Sequence, residues 1–335
     1  MSQTEQINIC QKTLTHALSK MLGTSIVHAD YQTKQLQGGT VGDVQLITGI
    51  AGSSGGDKLP FKVVLKVQQK WERYNDPDSW RREYDLYQSN LETFFEDSLR
   101  WPKCYHAEMA GDETRLWLEY IEGTSGLDMT GEMYERAAKE LGRFQGKLYT
   151  QQLIKGIANL SEPDAMEKFY RHYKSWDVVY DYIRSDKCEI PKHLCKMITD
   201  ADENADVIFN LVSSLPIVLC HRDFWITNIF YCDGDILLLD WDTTGWGYMG
   251  EDITSLIADE ADVDNMVEYY HKCIAAYCQG FSEYADISHI SDLYIRERII
   301  LHFGYRLIEW YLDAETPEGK QLHLSTLQKI YEMGA

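Results

Sequence analysis

Residues 220–242 read CHRDFWITNIFYCDGDILLLDWD. The centre of this stretch is a hairpin, with IFYC at 229–232, the dipeptide Asp233-Gly234, and ILLL at 236–239. Asp-Gly between two apolar runs is a strong short-range hairpin signal, because the tight turn needs positive φ at both central residues. Ahead of the hairpin, His221-Arg222-Asp223 and Asn228 satisfy H-R-D-x-x-x-x-N, and Asp240 lies just past its second strand. A loop supplying Asp223 and Asn228, joined to Asp240 by a tight hairpin, brings three oxygen-bearing side chains to one end of that hairpin. On a plainer reading, Asp223 caps a loop, Asn228 is a turn residue and Asp240 is a surface acid.

Upstream, the sequence predicts an amphipathic helix over about residues 4–22. Strand-like runs follow at Tyr31–Gln37, Val44–Ile50 and Phe61–Gln68, the last two separated by the flexible GIAGSSGGDKLP. A charged helix from Asp78 to Asp97 comes next, with Asp76, Asp78 and Ser79 available to cap its start. Two more strands are expected at Cys104–Met109 and Thr114–Tyr120. From Thr130 onward apolar residues recur at three- and four-residue spacing over 130–150, 163–186, 190–213, 264–281, 288–313 and 318–333. The expectation is an α+β, bilobal chain: a small five-stranded antiparallel lobe over 1–120, a crossing segment at 121–126, and a larger, mostly helical lobe over 127–335.

Composition narrows the function. The 335 residues carry 53 acidic and 32 basic side chains, a formal charge of −21. A surface this acidic repels a phosphate backbone, which argues against nucleic-acid binding and favours cationic or metal-complexed partners. Residues 1–123 hold 17 acids against 13 bases, whereas 124–335 hold 36 against 19, so the cation-attracting field belongs to the second lobe. Apolar runs such as PIVLC and ILLL fall far short of the roughly 20 residues that span a bilayer, and the N-terminus lacks a signal-peptide layout. The expectation is a cytoplasmic protein with no membrane partner, a monomer or homodimer. Eight cysteines without a CxxC pair signal neither a zinc ribbon nor a disulfide framework.

The H-R-D-x-x-x-x-N set has a defined use in phosphoryl transfer: one carboxylate orients the acceptor hydroxyl and takes its proton, while an amide oxygen and a second carboxylate hold magnesium. HRDFWITNIF followed by LLLDWD resembles the catalytic segment of the aminoglycoside phosphotransferase and choline kinase superfamily, small-molecule relatives of the protein kinases. The resemblance implies a protein-kinase-like fold, ATP or GTP as donor, Mg2+ as cofactor and a small-molecule hydroxyl as acceptor. By position it makes Asp223 the catalytic base, Asn228 and Asp240 the metal ligands, and His221 a brace for the loop. Lys66, in KVVLKVQ, alternates on the third strand as a phosphate-binding lysine should, with Glu83 as a suitable ion-pair partner, while Arg81, Arg82 and Asp85 compete for those roles as surface charges. The Gly38–Gly42 run departs from G-x-G-x-x-G and alone reads as a hairpin turn; the resemblance implies that Gly39 and Thr40 bend over phosphates and that the backbone of Glu119 and Ile121, in LWLEYIEG, meets the purine edge. The chain contains no Walker A sequence. Asp252, after Gly245-Trp246-Gly247-Tyr248, is expected to support the catalytic loop. Gln145, in LGRFQGKL, stands where the family often has histidine.

For the acceptor, the acidic second lobe suits a cation, with Asp242, Trp246, Glu309 and Asp313 as candidate contacts. Solvated helix faces explain the same acids, and Arg306 is spaced to pair with Glu309. Three functions compete: a Mg2+-dependent kinase of a cationic or sugar-like acceptor, best an aminoglycoside-type antibiotic; a metabolic kinase of choline, ethanolamine, homoserine or methylthioribose; and a nucleotide-binding scaffold without catalysis. Retention of Lys66, Asp223, Asn228 and Asp240 weighs against the scaffold.

Overall fold

The computed structural model describes residues 9–36, 42–74, 76–95, 98–151, 157, 160–173, 175–259 and 262–334. These divide into two compact units, Met1–Asn90 with Trp101–Glu122, and Leu91–Arg100 with Gly123–Ala335. In chain order the strands are β1 (Ile26–Gln35), β2 (Asp43–Ser53), β3 (Lys58–Gln69), β4 (Leu99–Arg100), β5 (Cys104–Ala110), β6 (Glu113–Glu119), β7 (Ile217–Cys220), β8 (Ile229–Cys232), β9 (Asp235–Leu238) and β10 (Gly245–Tyr248).

The first unit is an antiparallel sheet in the order β1-β2-β3-β6-β5. Successive side chains of a strand face opposite sides, and β3 uses both. Val63, Leu65 and Val67 pack with Ile47, Phe61 and Trp117 and with Leu14 and Leu18 of helix α1 (Gln11–Leu22). Val64 packs on the other face with Leu116, Leu118 and Tyr84 and Tyr87, from helix α2 (Ser79–Tyr87). Lys66 shares the parity of Val64, which turns it toward α2. The helix expected to run to Asp97 stops ten residues earlier. Both the N–H and the Oγ of Ser89 bond Leu86 O and close the last turn, and Leu91–Phe94 form a separate 3₁₀ turn. Leu91–Arg100 then joins the second unit, because β4 pairs in parallel with β9.

In the second unit, α3 (Gly131–Gln151) is followed by α4 (Ala165–Tyr173), α5 (Trp176–Arg184), α6 (Lys192–Glu203), α7 (Ala205–Val212), α8 (Glu251–Ala258), α9 (Met266–Ser282), α10 (Ile295–Ile299), α11 (Tyr305–Asp313) and α12 (Pro317–Glu332). A π turn at Ile300–Gly304 joins α10 to α11. Three short strands pair in the order β4-β9-β8, and β7 pairs with β10. The sequence does not signal the β7–β10 pair, since two of the four residues of β10 are glycine. Among the described residues no helix is long and apolar enough to cross a membrane.

Helices α3 and α9 approach through glycine. A Cβ on Gly280 would lie 2.0 Å from Lys139 O, and one on Gly142 would lie 2.2 Å from Tyr277 O. Alanine normally favours a helix over glycine by about 1 kcal/mol, but here the added methyl meets backbone that cannot step aside. Gly280→Ala is therefore expected to destabilise the protein by about 2 kcal/mol, read as a lower midpoint in thermal unfolding. A raised midpoint would show the helices free to separate.

Candidate active site

Asp233 (φ 50) and Gly234 (φ 96) both take positive φ, which makes the β8–β9 connection a type I′ turn. Ile229 pairs with Leu238, and the N–H of Leu239 donates to Asn228 O at 2.9 Å. Asn228 and Asp240 therefore emerge together at the open end of the hairpin. Asp240 sits at φ 63, a conformation that aspartate tolerates better than most residues.

Asn228 is turned toward Asp223. Its Nδ2 donates to Asp223 Oδ2 at 2.7 Å and to the Asp223 carbonyl at 3.0 Å, which points the amide oxygen the other way. Burial pushes the Asp223 carboxyl up to about 7; the neighbouring charge of Asp240 adds to this, Asn228 opposes it, and Asp242 and Asp259 contribute further. A carboxylate poised near neutrality suits a general base. The donor set of an Asn oxygen and carboxylates fits a hard cation such as Mg2+, and the repulsion between Asp223 and Asp240 is what a divalent ion relieves. Among the described residues no three His, Cys, Asp or Glu side chains form a metal-holding group.

The loop that carries Asp223 is held from behind by Asp252, in the first turn of α8. The Asp252 carboxylate accepts the N–H of His221 at 2.9 Å, that of Arg222 at 2.7 Å and Gln145 Nε2 at 2.9 Å. Gln145 also donates to Leu219 O at 3.0 Å and accepts from the Tyr277 hydroxyl at 2.5 Å. Glutamine at this place thus joins β7, α8 and α9 while staying neutral. Burial pushes Asp252 up to about 7 against the pull of those two backbone donors. His221 packs edge-on to Trp241, with ring centroids 4.7 Å apart, and its carbonyl accepts from Thr243 Oγ1 at 2.7 Å.

Within the first unit, Lys66 Nζ lies 2.5 Å from Glu83 Oε2, and their side chains are only 10% and 3% exposed. Gly39 and Thr40 lie outside the described residues. Glu119 ends β6 with its N–H donating to Lys103 O at 2.9 Å, and Ile121 follows just beyond the strand.

The proposed acceptor contacts scatter. Asp242 is buried close enough to Asp223 to raise it. Trp246 is in β10 opposite Leu219. Glu309 and Asp313 are on α11, whereas the acids that raise Asp223 are Asp240, Asp242 and Asp259, none of them on that helix. The expected Arg306–Glu309 pair is replaced by Arg306 lying over the Phe169 ring, 5.1 Å from its centroid. Sequence reasoning missed the roles of Arg222, Glu251 and Arg298, in which both guanidinium groups face the Glu251 carboxylate beside the loop. The one signal for them was the glycine alternation at 245 and 247.

No curated protein matches the chain by sequence. Among solved structures the fold is similar to amicoumacin kinase hAmiN, solved with AMP-PNP, Ca2+ and Ami (13% identity over 96% of this chain and 93% of that one, TM-score 0.55). It is also similar to a choline kinase from Cryptosporidium parvum (15% identity, 90% of each chain, TM-score 0.52). A third similar structure is aminoglycoside phosphotransferase APH(4)-Ia (14% identity, 95% and 99%, TM-score 0.51). These likenesses are of fold, and they make the chain α+β and protein-kinase-like. The model of the phosphotransferase enzyme family matches residues 74–287, a span that takes in α2, residues 121–126, the Asp223 loop and the hairpin. The chain belongs to the phosphotransferase enzyme family, as a small-molecule kinase whose acceptor group is a hydroxyl.

Proposed function

We propose that the protein transfers the γ-phosphate of ATP, with Mg2+, to a hydroxyl of a cationic, sugar-like molecule of the aminoglycoside type. The observation that carries this reading is the Asp223 carboxyl, raised to about 7 and hydrogen-bonded by Asn228 beside Asp240. Asp223 accepts the hydrogen bond of the acceptor hydroxyl, orients its oxygen toward the γ-phosphorus and takes the proton as the new O–P bond forms and the β–γ bridging bond breaks. Asn228, through its amide oxygen, and Asp240 would hold the metal; bound there, Mg2+ would neutralise charge on the transferring group. Lys66, fixed by Glu83, neutralises donor phosphate. The backbones of Gly39 and Thr40 and of Glu119 and Ile121 are assigned to phosphate and purine respectively. GTP is the alternative donor.

The acid excess of residues 124–335 supports a cationic acceptor, and we keep Asp242, Trp246, Glu309 and Asp313 as its candidate contacts. The likeness to a choline kinase favours a second reading, a metabolic kinase of a small amino alcohol. ATP consumption with Mg2+ against kanamycin, hygromycin B, choline, ethanolamine, homoserine and methylthioribose separates the two. The expected result is phosphorylation of an aminoglycoside. Phosphorylation of choline or ethanolamine alone selects the second reading, and ATP binding without any transfer contradicts both.

A further inference from the structure

β10 reads Gly245-Trp246-Gly247-Tyr248, so its two glycines share one face. The space their side chains would fill is already taken. A Cβ at 245 would lie 2.0 Å from Ser161 Oγ and 2.7 Å from an Arg222 guanidinium nitrogen, and one at 247 would lie 2.6 Å from Glu251 Oε2. The Arg222 guanidinium crosses this bare face. Its Nε donates to Glu251 Oε1 at 2.9 Å, one Nη donates to Ser161 Oγ, and the other donates to Glu162 O at 3.0 Å and to Trp246 O.

The partners are themselves fixed. Ser161 O accepts the N–H of Trp246 at 2.9 Å. Arg298 faces the other Glu251 oxygen at 3.6 Å and donates to Met249 O at 2.8 Å and Tyr248 O at 3.2 Å. The Arg222 and Glu251 side chains are 7% and 5% exposed. One guanidinium thus joins three separate stretches of chain, at 161–162, 246 and 251, while its own backbone, at φ 66, is held by Asp252.

We propose that Arg222 is a positioning residue for phosphoryl transfer: it fastens the Ser161–Glu162 segment, which precedes α4, to the loop carrying Asp223, and so sets where an acceptor hydroxyl meets that carboxylate. The proposal rests on the reading of Asp223 as the base. Arg222 and Asp223 are consecutive, so a displaced guanidinium moves the backbone of the base, and a misplacement of about 1 Å is enough to cost on the order of a hundredfold in rate. Lysine cannot reproduce the arrangement, because a point charge with three donors does not span a planar fork that serves acceptors in several directions.

The test uses the full chain with Arg222→Lys, Ser161→Ala and Gly245→Ala, the last displacing Ser161 without removing a charge. Kinetics are measured with MgATP and whichever of kanamycin or choline is the better acceptor, and amide exchange is followed at Trp246. Arg222→Lys is expected to lower kcat/KM for the acceptor at least about tenfold with the KM for ATP within about twofold, and to speed exchange at Trp246. Ser161→Ala should shift both in the same direction by less. A merely structural role would lower the melting temperature and leave that kinetic split untouched, which would overturn the proposal. If Arg222→Lys does not fold, Ser161→Ala and Gly245→Ala decide by the same criteria. If the wild-type protein phosphorylates nothing, the functional reading has failed separately; Trp246 exchange in Arg222→Lys or Ser161→Ala then decides whether the clamp exists, faster exchange upholding it and unchanged exchange overturning it.

Discussion

Asp223→Asn is expected to cut kcat by roughly 10²–10⁴-fold, to leave ATP affinity within about twofold, and to make the protein more stable above neutral pH. The loss of rate follows from removing the proton acceptor while keeping an oxygen that Asn228 Nδ2 still bonds. The gain in stability follows from the direction of the shift. In the unfolded chain an aspartate ionises at 3.8, whereas in the folded chain Asp223 ionises at about 7. A raised carboxyl favours folding while it is protonated, so its contribution is complete below about pH 4 and is lost as the pH rises through 7. Three units at about 1.4 kcal/mol each put the cost of the ionised side chain at roughly 4 kcal/mol. The variant should therefore melt several degrees above the wild type at pH 8 and level with it near pH 4. The wild-type kcat/KM should fall as the pH drops below about 7. Asp240→Asn, which removes the neighbouring charge that helps raise Asp223, should move that limb to lower pH. A loss of kcat below tenfold, or a melting difference that ignores pH, would remove Asp223 from the role of base.

Lys66→Met is expected to destabilise the first unit by about 3–5 kcal/mol and to weaken ATP binding at least about tenfold. The substitution takes the ammonium away from a carboxylate that is only 3% exposed, where water cannot replace it. The double variant Lys66→Met/Glu83→Leu should recover most of the stability, because two apolar side chains fill the space of a buried pair without a desolvated charge. ATP affinity should stay low. Urea unfolding and ATP titration of both variants make the comparison. Restored ATP binding in the double variant would show that the pair supports the fold alone.

The parts of the fold and site that were legible in sequence share one property: each was encoded within a few residues. Asp233-Gly234 specifies its turn by backbone sterics, which fixes the register of β8 and β9 and so places Asn228 beside Asp240. Lys66 is readable because alternation along β3 assigns it a face. The end of α2 was not readable, since charged residues continue a helical pattern to Asp97 while the local bonds of Ser89 to Leu86 close the last turn. β10 was hidden because two of its four residues are glycine, which weakens any strand signal. Arg222 escaped for a different reason. Its acceptors at 161, 162, 246 and 251 are tens of residues away, and no spacing rule connects them. Glu309 and Asp313 stand out in sequence by the acid density of their region, which reports a field and not a position.

The short parallel pairing of β4 with β9 carries a consequence for recombination. Leu91–Arg100 is encoded before the last two strands of the first unit, yet Leu99 and Arg100 pair with Ile236 and Leu237, and Phe95 stacks on Phe144 at 5.1 Å and meets Trp241 edge-on at 5.7 Å. A chimaera with a single crossover at Glu122–Gly123 would join β4 and Phe95 from one parent to the hairpin and α3 of the other. Intact exchange of the second unit with a relative needs three junctions, at about 90, 100 and 122, so that Leu91–Arg100 travels with the hairpin it completes.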